Sequence, residues 1–448
     1  MDRTAEERIR DFSEVDLGFT AEEAVAEAKR CIQCKKPKCV EGCPVGIDIP
    51  AFVKAIAEED FKGAVTIIKK DNMLPAICGR VCPQETQCQG VCILGKKGQP
   101  ISIGHLERFV ADVEEKRECP IPAEPSGKKV AVVGSGPAGL SAAAELARLG
   151  HAVTVFESLH EAGGVLMYGI PAFRLPKDIV QAEIDAVKRL GVEIKTNHVV
   201  GRSVPVDELL SYDAVFLGTG AGLPYFMGIE GETLPGIYSA NEFLTRVNLM
   251  GANNFPIFDT PVKRGKKVVV IGGGNVALDA ARVAKRMGSD VTLMYRRTEA
   301  DMPARLDEVR HAKEEGINFM TATNPVRFVG ENNAVCGVEA IKMEIGEPGE
   351  DGRSSIREIE GSNFIVEADV VVEAIGQGPN PLLLRMMPEL ARNRNGSVTV
   401  NENGQTSIAK VYAGGDVATG AATGAATVIL AMGTAKDAAR AIDAQLRE

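Results

Sequence analysis

The chain has 448 residues, 45% of them apolar and 25% charged, the balance of a globular protein, and its length allows about three domains of ordinary size. A formal charge of −10 with no block of Lys and Arg excludes a general nucleic-acid surface. No long apolar run and no apolar leader with a basic flank occurs, so no membrane span or secretion is expected, and the expected compartment is the cytoplasm.

Residues 1–20 are polar and read as a loose lead-in. From Thr20, TAEEAVAEAKRCIQC predicts a helix with Thr20 as N-cap and Glu23 as its capping partner. A second helical segment, IPAFVKAIAEEDFKGAVTIIKK, separates two groups of cysteines. Of ten cysteines, eight lie between Cys31 and Cys92, a crowding that reads as metal ligation in a reducing compartment. The first group is C-x2-C-x4-C-x3-C-P, with Cys31, Cys34, Cys39 and Cys43; the second is C-x3-C-P-x4-C-x3-C, with Cys78, Cys82, Cys88 and Cys92. Short loops with Pro after the last thiol resemble the ferredoxin run that holds cubane clusters, and eight thiols suffice for two. Tetrahedral zinc is the alternative that this spacing also permits.

CPIPAEPSG at 119–127 reads as an extended linker. KKVAVVGSGPAGLSAAAELARLGHAVTVFE then predicts strand, glycine turn, helix and strand, a dinucleotide-binding unit. Gly134, Gly136 and Gly139, with Pro137 and Ala138 between them, form the turn that meets a pyrophosphate, and Glu157 ends the next strand, where it can accept from ribose hydroxyls. The acid suits an adenine dinucleotide without a 2′-phosphate. A near copy follows 138 residues later, with Gly272, Gly274, Asn275 and Ala277. There Tyr295 replaces the acid and Arg296 and Arg297 follow, so a 2′-phosphate is favoured and NADP(H) preferred over NAD(H).

DAVFL before GTG, ending at Gly220, and DVVVEAI before GQG, starting at Gly376, read as crossings between domains, and Gly220 and Gly376 are counted among the expected cofactor contacts. The C-terminal AGGDVATG places Gly415 and Asp416 in a loop before a long helix, suited to a flavin's ribityl-phosphate region. Cys119 and Cys336 stand alone, so no redox dithiol is expected in this part.

With CIQCKKPKCVEGCP, CGRVCPQETQCQGVC, IGHLERFVAD, GSGPAGL, GIPAFRLPK, GGGNVALDAA, YRRT, MPA and AGGDVATGA in one order, the chain resembles the small (beta) subunit of glutamate synthase. It is similar above all to the large subunit of the NADH-dependent ferredoxin:NADP oxidoreductases, and also to the N-terminal half of dihydropyrimidine dehydrogenase. The resemblance implies FAD in the first site, NADP(H) in the second and two [4Fe-4S] clusters. It implies that Cys31, Cys34 and Cys39 share a cluster with Cys92, that Cys43, Cys82 and Cys88 hold the other with Glu107, and that Cys78 is a bystander. It also brings 169–176, with Arg174, beside the flavin, and Gly164 joins the expected cofactor contacts.

The expected fold is α/β: a helical iron–sulfur domain at 1–118, the linker at 119–127, an FAD domain at 128–258 and 370–448, and an NADPH domain at 259–369 inserted within it. The expected function is an oxidoreductase subunit that exchanges hydride with NADP(H) and passes single electrons through the clusters. Its expected partner is a glutamate synthase large chain or a small flavin/[2Fe-2S] subunit, with ferredoxin a further candidate. A self-contained NADPH reductase of sulfur, polysulfide or quinone is the alternative, and a redox-sensing module a third. No side chain needs an acid–base role, since the cofactors carry the chemistry.

Overall fold

The computed structural model describes residues 2–114, 121–349, 352–420 and 427–448. Part of the expected linker, with Cys119, lies outside the described residues. The helix after Thr20 spans Ala21–Lys29; Thr20 accepts from the Glu23 N–H and Glu23 accepts from the Thr20 N–H. The segment read as one helical stretch is two helices, Ile49–Ala57 and Phe61–Lys69. Asp60 causes the break, because its carboxylate caps the second helix at the Gly63 N–H, 2.8 Å away, while Glu59 takes a left-handed φ of +63°. With Pro75–Val81 and Ile103–Asp112 these helices bury Phe52, Ile56, Ile68, Leu74, Ile77 and Leu106 completely.

The lead-in is not loose. Val15 is buried in the core of the second nucleotide-binding domain, and its N–H donates to the Phe173 carbonyl at 2.9 Å. Arg8, also buried, pairs with Glu314 and lies 3.9 Å from Glu315, while Asp2 meets Arg310 and His311, each at 2.9 Å. Polarity along the sequence suggested solvent, but these charges meet opposite charges on the helix Leu306–Glu314 and the residue after it.

Two five-stranded parallel sheets follow. The first runs Val411–Ala413, Ala214–Leu217, Lys129–Val133, Ala152–Phe156, Glu193–Lys195, so the last strand in sequence returns to the edge of the first domain. The second runs Ile237–Ser239, Val370–Glu373, Lys267–Ile271, Asp290–Met294, Asn318–Met320. The NADPH-type domain is therefore inserted in the other. Sheet pairing moves the expected boundaries near 258 and 369: Val370 registers with Val268 and Ile237 with Val371, so both flanking strands belong to the inserted domain. Glycine motifs mark loops, whereas strand pairing decides which sheet satisfies a segment's backbone. At the crossings, Leu223–Pro224 pairs antiparallel with Gln377–Gly378, a short ribbon joining the two domains.

A four-stranded antiparallel sheet over Thr323–Glu331, Ala334–Pro348, Ser354–Glu358 and Phe364–Glu367 was not anticipated. Its signal was the Asn332-Asn333 turn, with φ of +50° and +62°, the left-handed pair of a tight hairpin. Among the described residues no helix is long and apolar enough to cross a membrane.

Candidate functional site

The thiols separate into two groups that cut across their order in the chain. Cys31 lies within electrostatic reach of Cys34 and Cys92, and Cys39 within reach of Cys31 and Cys92. Burial first, and then these neighbours, push the Cys39 thiol up to about 11. The second group is Cys43, Cys78, Cys82, Cys88 and Glu107: Cys88 is raised by burial and by Cys82, Glu107 and Cys43, while a hydrogen bond with Cys78 raises Cys82. Burial also pushes Glu107 up to about 8, although Asn72 donates to its Oε1 at 2.7 Å. The first group is half-buried; in the second Cys78, Cys82, Cys88 and Glu107 are buried, with Cys82 and Cys88 only 6% and 8% exposed, and Cys43 is half-buried.

All nine described cysteines are free. Among the described residues no three His, Cys, Asp or Glu side chains converge to hold a single metal ion. Grouped thiols, joined in the second group by one carboxylate, are the donor chemistry that an iron–sulfur cluster takes. Cys78 hydrogen-bonds Cys82 within this group, and its Sγ also lies 3.5 Å from Met432 Sδ and 3.8 Å from Asn72 Oδ1. Cys336 is exposed.

The C-terminal helix Val428–Arg447 joins this domain to the first nucleotide site. A Cβ on Gly433 would come within 2.7 Å of the Pro44 carbonyl, so the helix presses on the residue after Cys43. Lys436 donates to the Val45 carbonyl at 3.0 Å and to Asp71 at 2.6 Å, and on the other side the Ser141 hydroxyl reaches the Met432 carbonyl at 3.4 Å.

In the first site, a Cβ at Gly139 would fall 1.9 Å from the Gly134 carbonyl, and one at Gly134, where φ is +96°, would meet the Gly218 carbonyl at 2.6 Å. Both glycines serve the turn. A Cβ at Gly136 would enter open space, and Gly136 is the N-cap of Pro137–Arg148, so an open cradle faces the helix N-terminus around Pro137 and Ala138. Gly164, at φ +54°, packs against Gly136, and Gly220, at φ +64°, faces open space. Glu157 is buried; one oxygen accepts the Ser135 N–H at 2.9 Å and the other the Leu159 N–H at 2.8 Å, which fixes the carboxylate at the strand end. Gly415 closes on Ala138, and Asp416 is raised by burial. Tyr168, which the sequence reading missed, is pushed up to about 12 by burial, with Glu157 and Asp416 adding to it, so the three share one space.

Arg174 is committed elsewhere. It donates to Asp279 at 2.7 Å and lies 3.1 Å from Glu308, both in the inserted domain, and so bolts the 169–176 segment to that domain rather than presenting a free cation. Lys177 beside it donates to the Leu166 carbonyl at 2.8 Å and to the Ile170 carbonyl.

The second site repeats the cradle. A Cβ on Gly272, at φ +144°, would meet the Ala374 carbonyl at 2.5 Å; at Gly274, the N-cap of Asn275–Arg286, the nearest atom would be 4.0 Å away. Ala277 is fully buried where the helix meets the sheet. Tyr295 lies against Gly273, and its hydroxyl donates to the Asp301 carbonyl at 3.0 Å. Arg296 is exposed, while Arg297 donates from Nε to the Ser354 carbonyl at 2.8 Å. Gly376, at φ +122°, sits where the chain leaves this domain.

Residues 8–119 match the family described as dihydropyrimidine dehydrogenase domain II, 4Fe-4S cluster, and residues 128–441 match pyridine nucleotide-disulphide oxidoreductase. The chain is 38% identical to the glutamate synthase [NADPH] small chain of Escherichia coli, with 92% of this chain and 89% of that one covered. It is 39% identical to the NADP(+)-dependent formate dehydrogenase subunit beta of Moorella thermoacetica, over 92% of this chain but 60% of that longer protein. In fold, 72% of the chain matches 85% of Mycobacterium tuberculosis FprA, solved in complex with NADPH, with a TM-score of 0.60 at 22% identity.

Proposed function

The chain belongs to the glutamate synthase small chain family, an iron–sulfur domain followed by a pyridine nucleotide-disulphide oxidoreductase domain, and from that premise we propose how its residues serve an NADPH-dependent FAD and iron–sulfur oxidoreductase. When bound, the flavin supplies hydride exchange with the nicotinamide and one-electron exchange with the clusters. The chain's own residues hold and align these groups. Gly136, Pro137, Ala138, Gly139, Gly164 and Gly220 form the FAD cradle, with Glu157 and Asp416 at its ends. Gly274, Asn275 and Ala277 receive the NADPH pyrophosphate, and Arg296 and Arg297 grip its 2′-phosphate.

Cys31, Cys34, Cys39 and Cys92 form the outer ligand set; Cys43, Cys82, Cys88 and Glu107 form the inner one. The observation that carries this reading is the helix Val428–Arg447, which packs on Pro44 next to Cys43 through Gly433 and on the first nucleotide-binding domain through Met432. In this reading the set with buried Cys82, Cys88 and Glu107 neighbours the flavin site and the other, half-buried set lies toward the surface, which the packing of that helix supports. We propose that the surface set delivers electrons to a partner polypeptide in the cytoplasm, either a glutamate synthase-type large chain or a small flavin subunit, with ferredoxin a further candidate. Relatives in this family are named as small or beta subunits, which supports a partner subunit.

Anaerobic assay of iron, sulfide and flavin during NADPH titration tests the reading. About eight irons and matching sulfide with one FAD bleached by NADPH are expected; zinc without labile sulfide would overturn it.

A further inference from the structure

Arg305 crosses from the inserted domain into the iron–sulfur domain. It is the N-cap of Leu306–Glu314, and its backbone N–H donates to Asn275 Oδ1 at 3.0 Å, at the first residue of the helix that opens on the second glycine cradle. Its guanidinium donates from Nη1 to the Arg80 carbonyl at 3.0 Å and from Nη2 to Gln84 Oε1 at 3.1 Å. Both acceptors lie between Cys78 and Cys88. Gln84, 5% exposed, passes the contact on: its Nε2 donates to the carbonyls of Cys78 and Gly79, each at 3.3 Å. Arg305 is also among the charges acting on Cys82, drawing its proton affinity down.

A plain interdomain bolt is the simpler use for such a residue. Others already hold these domains together, Arg8 with Glu314 and Asp2 with Arg310, while Arg174 with Asp279 and Glu308 ties the inserted domain to the first nucleotide-binding domain. Arg80 is fixed independently by Glu14 at 2.7 Å and Asp112 at 2.8 Å. Arg305 adds what those bolts do not, a hydrogen-bonded line from the cradle residue Asn275 to the segment carrying Cys82. Its Nε is buried and donates no hydrogen bond, and lies 3.6 Å from the carboxylate of Glu85, so two of its three nitrogens make the hydrogen bonds to Arg80 and Gln84 and the third is held by charge alone.

We propose that Arg305 is a positioning residue that makes the iron–sulfur site around Cys82 sense occupancy of the second nucleotide site, through Asn275 on one side and Gln84 on the other. The inference rests on the function proposed above. A fixed positive charge near a cluster favours the reduced, more negative state and raises its potential. A nucleotide phosphate at Asn275 changes how that charge is seated against Gln84, and the potential moves with it.

The test is an EPR-monitored anaerobic redox titration of the whole chain with and without 2′,5′-ADP, a redox-inert probe of the second site. In the wild type, 2′,5′-ADP shifts the midpoint of one cluster and leaves the other unmoved. In Arg305→Gln that midpoint starts lower and the nucleotide-induced shift is lost; Arg305→Lys keeps the starting potential close to wild type but loses the shift, since an ammonium cannot span both acceptors. A wild-type midpoint unmoved by saturating 2′,5′-ADP, or a shift that survives in Arg305→Gln, overturns the proposal. If Arg305→Gln fails to load iron, Gln84→Met cuts the line at its other end: loss of the shift supports the proposal and its retention overturns it. Failure of 2′,5′-ADP to bind, followed by calorimetry, or absence of a second cluster, overturns the underlying function and this inference with it, whereas binding without a shift overturns this inference alone.

Discussion

Asn72 donates from Nδ2 to Glu107 Oε1 at 2.7 Å, with Asn72 fully buried and Glu107 6% exposed. The amide cannot turn over freely, because its Oδ1 already accepts the Leu74 N–H at 2.9 Å. One carboxyl oxygen of Glu107 is thus anchored, and the rest of the group faces Cys43, Cys82 and Cys88, on which its charge acts. Glu107→Gln keeps the acceptor for Asn72 but removes the carboxylate proposed above as a ligand. Iron per chain is expected to fall from about eight to about four, while Glu107→Cys retains it. Cys78→Ala should leave the iron content unchanged, since neither proposed ligand set uses this thiol. Iron and sulfide assay of the three variants decides.

Glu315 is buried between Arg282, at 2.7 Å, and Arg286, at 2.7 Å, and both guanidiniums stack on Phe173, at 4.7 and 3.8 Å from the ring centre. Burial acts to raise the Glu315 carboxyl, but hydrogen bonds from Arg286 and Arg282 outweigh it and hold it at about 2. Glu315→Gln leaves two buried cations short of a counter-charge and should cost about 3–5 kcal/mol in denaturant unfolding. The folded value lies below the unfolded one, so the carboxylate's contribution is present above about pH 4.5 and is lost as pH falls toward about 2. The wild type should lose stability across that window more steeply than Glu315→Gln.

Lys177 gives a slope of the opposite range. Burial pushes its ammonium down to about 7, against the attraction of Asp279. Between that value and the unfolded value of 10.5 the folded chain binds fewer protons, so stability rises with pH across the window and is flat below it. In Lys177→Met the rise between pH 7 and pH 10 should disappear, as read from denaturation midpoints on the cluster-free chain.

Arg296 is exposed beside the second cradle, whereas Arg297 already spends its Nε on Ser354. Arg296→Ala should therefore raise KM for NADPH by about ten- to a hundredfold, the worth of one or two charged hydrogen bonds. The kcat and the KM for NADH should stay near the wild-type values. Steady-state kinetics with both nucleotides and an artificial acceptor reads this directly.

Local chemistry was legible wherever a motif acts within its own turn. Thr20 and Glu23 cap each other across three positions, and Gly134, Gly139 and Gly272 are required by carbonyls that a Cβ would strike. The cysteine runs announced an iron–sulfur domain. Tyr168 was missed because a single aromatic between glycines carries no periodic signal. Arg174 was read as a flavin contact because its segment was, yet a cation there had nearer carboxylates in Asp279 and Glu308.

The sequence by itself determined the fold class, the kinds of cofactor and the glycine turns, because those depend on residues a few positions apart. Only the tertiary structure decided that Cys78 meets Met432, that residues 2–15 strap onto a helix about three hundred positions away in sequence, and that Arg305 meets Gln84 across 221 positions. Such contacts are set by how separate surfaces fit and by which buried charges need partners, and neither is written in local spacing.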